Sequence, residues 1–131
     1  MNTMASSGQA MNPIGIVENG LPLGTPKDQL TAAESRIILH PSLVEGLQEL
    51  EAQPRILVVF QFHLSQGYEL LQHPRGDSSR PKRGVFALRS PRRPNPIGVT
   101  EVELLEIRDN VLRVRGLDAV DGTPVLDLKP A

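Results

Sequence analysis

The 131-residue sequence has no cysteine and no tryptophan, and aromatic residues make up only 3 % of it. Without cysteine there is no disulfide, no thiolate metal site, no iron–sulfur cluster and no cysteine nucleophile. That composition agrees with a reducing cytoplasm. With so few aromatics, the core must be built from Val, Leu and Ile, which suits a β-rich interior. Stacking of bases on aromatic platforms is then not the main route to RNA binding. No apolar run reaches membrane-spanning length. The first residues, Met1 to Asn12, have neither a basic start nor a long apolar stretch and do not read as a secretory signal. They are expected to form a flexible tail, with one domain over 13–131. There is no G-x-G-x-x-G after a strand and no phosphate-binding G-x-x-x-x-G-K-[ST] loop, which argues against a nucleotide-fold methyltransferase or dehydrogenase. A G-x-S-x-G elbow is also missing. The three histidines, His40, His63 and His73, match no compact metal-ligand spacing, so no metal is expected.

Net charge is −1, and nothing global points to nucleic acid. The distribution is uneven. Arg75, Arg80, Lys82, Arg83, Arg89, Arg92 and Arg93 fall between His73 and Pro94, opposed only by Asp77, and make up half of the 14 Lys and Arg. This stretch is either a solvated basic loop or a patch that faces phosphates.

The chain alternates short apolar runs with Gly- and Pro-rich connectors. Ile14–Val17 and Arg36–Leu39 read as strands, and Asn19–Gln29 reads as a loop. Ser42 stands three residues before Glu45, the capping-box spacing, and Leu43, Leu47 and Leu50 follow at helical intervals, so a short helix is expected over 43–51. Ile56–Phe60 looks like a strand covered on both faces, and Gly84–Leu88 like another buried strand. Val99–Ile107 and Val111–Gly116 form a hairpin across Arg108-Asp109-Asn110. Its second strand turns Leu112 and Val114 to one face and Val111, Arg113 and Arg115 to the other. Val125–Leu128 is a last strand after the Asp121-Gly122 turn. Strands of this length and spacing predict a mainly β fold with one or two short helices, either a compact single barrel or a curled sheet.

Two segments carry candidate chemistry. In Arg89-Ser90-Pro91-Arg92-Arg93-Pro94-Asn95-Pro96 the three prolines stiffen the backbone. A stiff loop presents side chains at little entropic cost, here the forks of Arg89, Arg92 and Arg93 and the amide of Asn95. A rigid surface connector with solvated arginines is the alternative. The second segment holds Asp118, Asp121 and Asp127. Asp121 and Asp118 suit turn hydrogen bonds. Asp127 sits in an apolar strand, facing outward or paired with a cation, and Lys129 shares its face.

These residues resemble a known family. The run Gly84-Val85-Phe86-Ala87-Leu88-Arg89-Ser90-Pro91-Arg92-Arg93-Pro94-Asn95-Pro96-Ile97-Gly98 resembles the signature of the TsaA-like proteins. So does Asp118-Ala119-Val120-Asp121-Gly122-Thr123-Pro124-Val125-Leu126-Asp127-Leu128-Lys129-Pro130, with Pro13–Val17 and Phe62-His63 similar to further family positions. The resemblance implies a β-barrel, usually dimeric, that binds S-adenosyl-L-methionine (SAM). It also implies methylation of the exocyclic nitrogen of threonylcarbamoyladenosine beside the tRNA anticodon, in the cytoplasm. Carried over by position, the cofactor contacts are His63, Leu64, Arg89, Val99 and the stretch Arg115, Gly116, Leu117 and Asp118. Arg92, Arg93, Asn95, Asp121 and Lys129 fall to substrate handling, and Asp127 and His63 to proton removal. The basic stretch would hold anticodon-loop phosphates. The stretch Glu18–Lys27 matches the family only loosely, and Leu88 stands where threonine is common. A small-molecule acceptor, or RNA binding without catalysis, remain the other readings.

Overall fold

A computed structural model of the chain describes residues 10–131. The expected tail, Met1 to Asn12, therefore lies largely outside the described residues. The first strand, β1, is Gly15–Glu18 and is followed by a short helix, α1, at Lys27–Ala32. Five long-range strands follow: β2 (Glu34–Leu39), β3 (Arg55–Gln61), β6 (Ile97–Arg108), β7 (Val111–Arg115) and β8 (Pro124–Pro130). With β1 they close a six-stranded barrel in the order β1-β2-β7-β6-β3-β8, every pairing antiparallel. Between β3 and β6 lies a separate two-stranded ribbon, β4 (Leu71–Gln72) with β5 (Arg83–Gly84).

Period-2 alternation decides what fills the barrel. Ile37 and Leu39 of β2, Ile56, Val58 and Phe60 of β3, Val102 of β6, Leu112 and Val114 of β7 and Val125 of β8 all point inward and are buried. Leu117 and Ala119, from the β7–β8 connection, add to the same cluster. The outward positions carry charge. Arg36 pairs with Glu18, Arg55 with Glu101, and Arg115 with both Glu34 and Glu103. This cross-strand ladder explains a core made almost without aromatics: branched aliphatics interlock inside while ion pairs dress the outside.

Close packing appears at Gly98. It lies opposite Phe60 in the β3–β6 register. The rings of Phe60 and Phe62 meet edge to face, 5.2 Å apart, over the space a side chain there would occupy.

Four local expectations change. The helix expected over 43–51 is instead a 3₁₀ segment, Pro41–Leu47, and a separate 3₁₀ turn, Leu50–Ala52. The cap is His40, whose ring accepts from the Ser42 amide, and Glu49 breaks the run with a left-handed φ of 70°. Gly84–Leu88 is no buried strand. Only its first residue joins the ribbon, and Val85–Ala87 forms a 3₁₀ turn that buries Val85 and leaves Phe86 77 % exposed. Ile56–Phe60 is a strand, but alternate residues are only partly covered on its outer face. Helix α1 occupies part of the stretch read as loop. It has six residues and buries Leu30 alone, so it leaves no apolar period in the sequence.

Candidate active site

The chain folds the basic stretch back over one side of the barrel. Between them lies a cleft of 1060 Å³, floored by Phe60 and Phe62 and walled by the β4–β5 ribbon, the proline loop and helix α1. Its size matches small-molecule sites, which run to ~1,000 Å³. Val99, 43 % exposed, adds an apolar patch at its side.

Hydrogen bonds fix the proline loop against the segment that follows β3. Ser65 donates its hydroxyl to the Pro91 carbonyl at 2.8 Å, and the Gln72 amide donates to the Arg92 carbonyl at 2.6 Å. The loop's arginines divide into three roles. Arg93 turns back and donates to the Leu88 and Ser90 carbonyls at 2.8 and 3.2 Å, so it shapes the loop. Arg92 pairs with Glu69 at 3.2 Å on the cleft wall. Arg89 lines the cleft and forms no ion pair among the described residues. With Arg75, Arg80, Lys82 and Arg83 it makes the cleft strongly cationic.

Asp118 also lines the cleft and faces Lys27 of α1 at 3.8 Å. A loop clamp places α1 there. Asp121 accepts the backbone amides of Asn19 and Gly20 at 2.8 and 2.9 Å. The Asn19 side chain donates to the buried Ser35 hydroxyl and the Ala119 carbonyl, both at 3.0 Å. Both amides share Oδ1, so one oxygen of Asp121 is committed to holding the connection before α1. Its carboxyl is held below the usual carboxylate range by the Gly20 amide first and the Asn19 amide second. Since the folded value lies below the unfolded one, this contribution is present above pH 3.8 and is lost as pH falls through the folded value. Asp121→Ala should remove that part of the acid limb of stability and speed amide exchange at Asn19 and Gly20. Exchange as slow as in the parent chain would show that the clamp is idle.

Among the residues assigned to the cofactor by position, Arg89, Val99 and Asp118 come together at the cleft. His63 and Leu64 follow β3 at its rim, with the His63 ring near Gly122. The others lie apart. Leu117 is core, and the Arg115 side chain belongs to the outer charge ladder. Asn95 is exposed on the proline loop, outside the cleft lining.

Asp127 and Lys129 are elsewhere. They pair with each other at 2.7 Å, and Asp127 lines a second hollow beneath the Pro41–Leu47 segment. The bond from Lys129 is the main cause of a carboxyl pKa below the usual range. Held by a cation and away from Arg89, Asp127 does not stand where a proton would be taken from a ligand in the cleft. Residues that sequence reading did not single out also line the cleft: Lys27 and Thr31 of α1, Glu69, and His73. Helix α1 left no sequence signal. For His73, the one cue was its place at the head of the basic stretch.

Among the described residues no helix is long and apolar enough to cross a membrane, and no group of three or more His, Cys, Asp or Glu is placed to hold a metal.

Residues 20–131 match the family model described as the tRNA-methyltransferase O N-terminal domain. A probable S-adenosyl-L-methionine-binding protein of Pyrococcus abyssi is 42 % identical, over 90 % of this chain and 65 % of its own length. The mouse tRNA (adenine(37)-N6)-methyltransferase is 36 % identical over 90 % of this chain, which spans only 30 % of that protein. A crystal structure of TrmO superposes with a TM-score of 0.76 at 33 % identity, over 95 % of this chain and 57 % of that one.

Proposed function

The chain belongs to the tRNA-methyltransferase O family, and from that premise we propose that it transfers a methyl group from SAM to the exocyclic nitrogen of a modified adenosine, threonylcarbamoyladenosine, in tRNA. The observation that carries this reading is the cleft, whose lining joins apolar side chains to the Arg89 guanidinium, free of any ion pair among the described residues, and the Asp118 carboxylate. The donor set fits SAM. Phe60, Phe62 and Val99 offer apolar contact to the adenosyl part. Arg89 suits the carboxylate of the methionyl end, and Asp118 suits its ammonium or the ribose hydroxyls.

When bound, the sulfonium supplies an already activated methyl group. The protein's work is then chiefly positioning, an effect that reaches about 7–11 kcal/mol in well-oriented systems. The proline loop and the clamp at Asp121 supply rigid walls for it. Phe60, Phe62 and Val99 keep water from the reacting centre. The cations of the basic stretch are set to take the anticodon-loop phosphates, which orient the RNA without reading its sequence.

The protein acts as a homodimer in the cytoplasm, where its tRNA substrate is. The exposed apolar side chains of Phe86, Leu71, Ile97 and Leu64 support a second copy as their cover.

The reading is tested by calorimetric titration with SAM, followed by incubation of labelled SAM with tRNA that carries threonylcarbamoyladenosine. Saturable binding and label in the RNA are expected. The protein should sediment at twice its 14.3 kDa chain mass. Arg89→Ala should weaken SAM about 10- to 100-fold, or about 1.4–2.8 kcal/mol, with the fold intact. No binding at millimolar SAM would leave RNA binding without catalysis as the reading of the basic stretch.

A further inference from the structure

We propose that His73 is the general base of this methyl transfer, an inference that rests on the enzymatic reading above. The acceptor nitrogen makes a base necessary. A ureido-like nitrogen is a weak nucleophile while its lone pair is delocalised, and once alkylated it is strongly acidic. Its proton must leave as the new carbon–nitrogen bond forms.

Three side chains lining the cleft carry an atom that can accept a proton: Glu69, Asp118 and His73. Glu69 holds Arg92 at 3.2 Å, and Asp118 faces Lys27 at 3.8 Å. Either would have to give up its ion pair on protonation. The structure leaves His73 as the one whose protonation breaks no ion pair. It stands where β4 passes into the turn Pro74–Gly76, and its Nδ1 lies 2.7 Å from the Arg80 carbonyl oxygen. A carbonyl oxygen only accepts, so Nδ1 carries the hydrogen. In the neutral ring Nε2 then carries the lone pair, and it has no hydrogen-bond partner among the described residues. One ring nitrogen fixed by a backbone carbonyl and the other free to accept is the arrangement that orients a histidine base. The charged groups sharing the cleft with the ring are Arg75, Arg80 and Lys82 of its own loop, Arg83 of β5, Arg89, and the pairs Glu69–Arg92 and Asp118–Lys27.

The step balances as follows. The acceptor nitrogen gains the methyl carbon. The carbon–sulfur bond breaks and leaves its electron pair on sulfur. The nitrogen's proton passes to Nε2 of His73, and the imidazolium later returns it to water.

His73→Asn is the deciding variant. Its amide keeps a donor near the Nδ1 position for the Arg80 carbonyl, yet it has no nitrogen that accepts a proton. We expect kcat to fall about 10²- to 10⁴-fold, the usual contribution of a positioned base. SAM affinity by calorimetry and KM should not change, and the fall of kcat towards acid pH that a histidine base gives the parent enzyme should disappear. Added imidazole should restore part of the activity of His73→Ala. Nitrogen-15 spectra of the ligand-free protein, assigned by the loss of a signal in His73→Asn, should show the Nδ1–H tautomer at neutral pH. A His73→Asn enzyme with full kcat, or an Nε2–H tautomer, would overturn the assignment while methyl transfer itself stands. A wild-type protein that binds SAM but labels no tRNA would overturn the tRNA reading and this base with it. A variant that loses SAM affinity in step with kcat would make His73 a loop cap and not a base.

Discussion

Gly98→Ala should lower the melting temperature by on the order of 10 °C and weaken SAM binding with it. A Cβ at position 98 would sit 2.7 Å from Cζ of both Phe60 and Phe62, and 2.8 Å from Cε2 of Phe60. Neither ring can yield cheaply. Phe60 is only 2 % exposed and belongs to the barrel core, while Phe62 packs on that core from the rim. Overfilling a packed site of this kind costs about 1–3 kcal/mol, a large share of the ~5–15 kcal/mol that holds a domain together. The same rings floor the cleft, so whatever movement relieves the clash alters the surface offered to the adenosyl group. Differential scanning calorimetry and a SAM titration of the variant read the two effects separately. A variant that melts with the parent protein would mean that the rings move freely and that the floor is not a fixed surface.

The second large effect concerns RNA. Replacing Arg80, Lys82 and Arg83 together with glutamine should lower tRNA affinity on the order of 10²-fold at low salt, and reduce the slope of log affinity against log salt by about 2–3. SAM affinity should hold, since Arg89 is untouched. Glutamine keeps the polarity of these exposed side chains and removes their charge. Arg75 is left alone because its φ of 55° makes its backbone a special case. Electrophoretic mobility shifts at several salt concentrations give both numbers. An unchanged slope would take tRNA off these side chains and turn attention to a small-molecule acceptor.

Much of the barrel was legible because its strands follow local rules. The β6–β7 hairpin shows alternation on both arms and turns through Asp109 and Asn110, with Asp109 at a φ of 54°. The inward set on β7, Leu112 and Val114, could be read directly from the pattern. Where the reading failed, a local signal met a competing contact. Ser42 and Glu45 have the spacing of a helix cap, but the His40 ring takes the Ser42 amide and Glu49 turns left-handed. Val85-Phe86-Ala87 has the composition of a buried strand, yet the ribbon ends at Gly84 and exposes Phe86.

The site was legible where one loop builds it and not where the topology does. Arg89, Arg92 and Arg93 are sequence neighbours on a stiff segment, and all three line the cleft. Asp118 and Asp127 also looked like one motif, but Asp118 precedes β8 while Asp127 lies within it and is carried to the second hollow. The contact between His73 and the Arg80 carbonyl depends on the path of the whole loop, which no residue type in it dictates.

The seam of the barrel is the pairing of β1 with β8, where Gly15 sits opposite Val125. Local hairpins such as β6–β7 can form while the polypeptide is still being synthesised, because their partners are a few residues apart. The seam cannot. Its two strands are separated by almost all of the described chain, and the ring stays open with two bare edges until β8 has left the ribosome. Closure is therefore the last step in forming the barrel, and the half-made barrel is the species most exposed to pairing with a neighbouring chain.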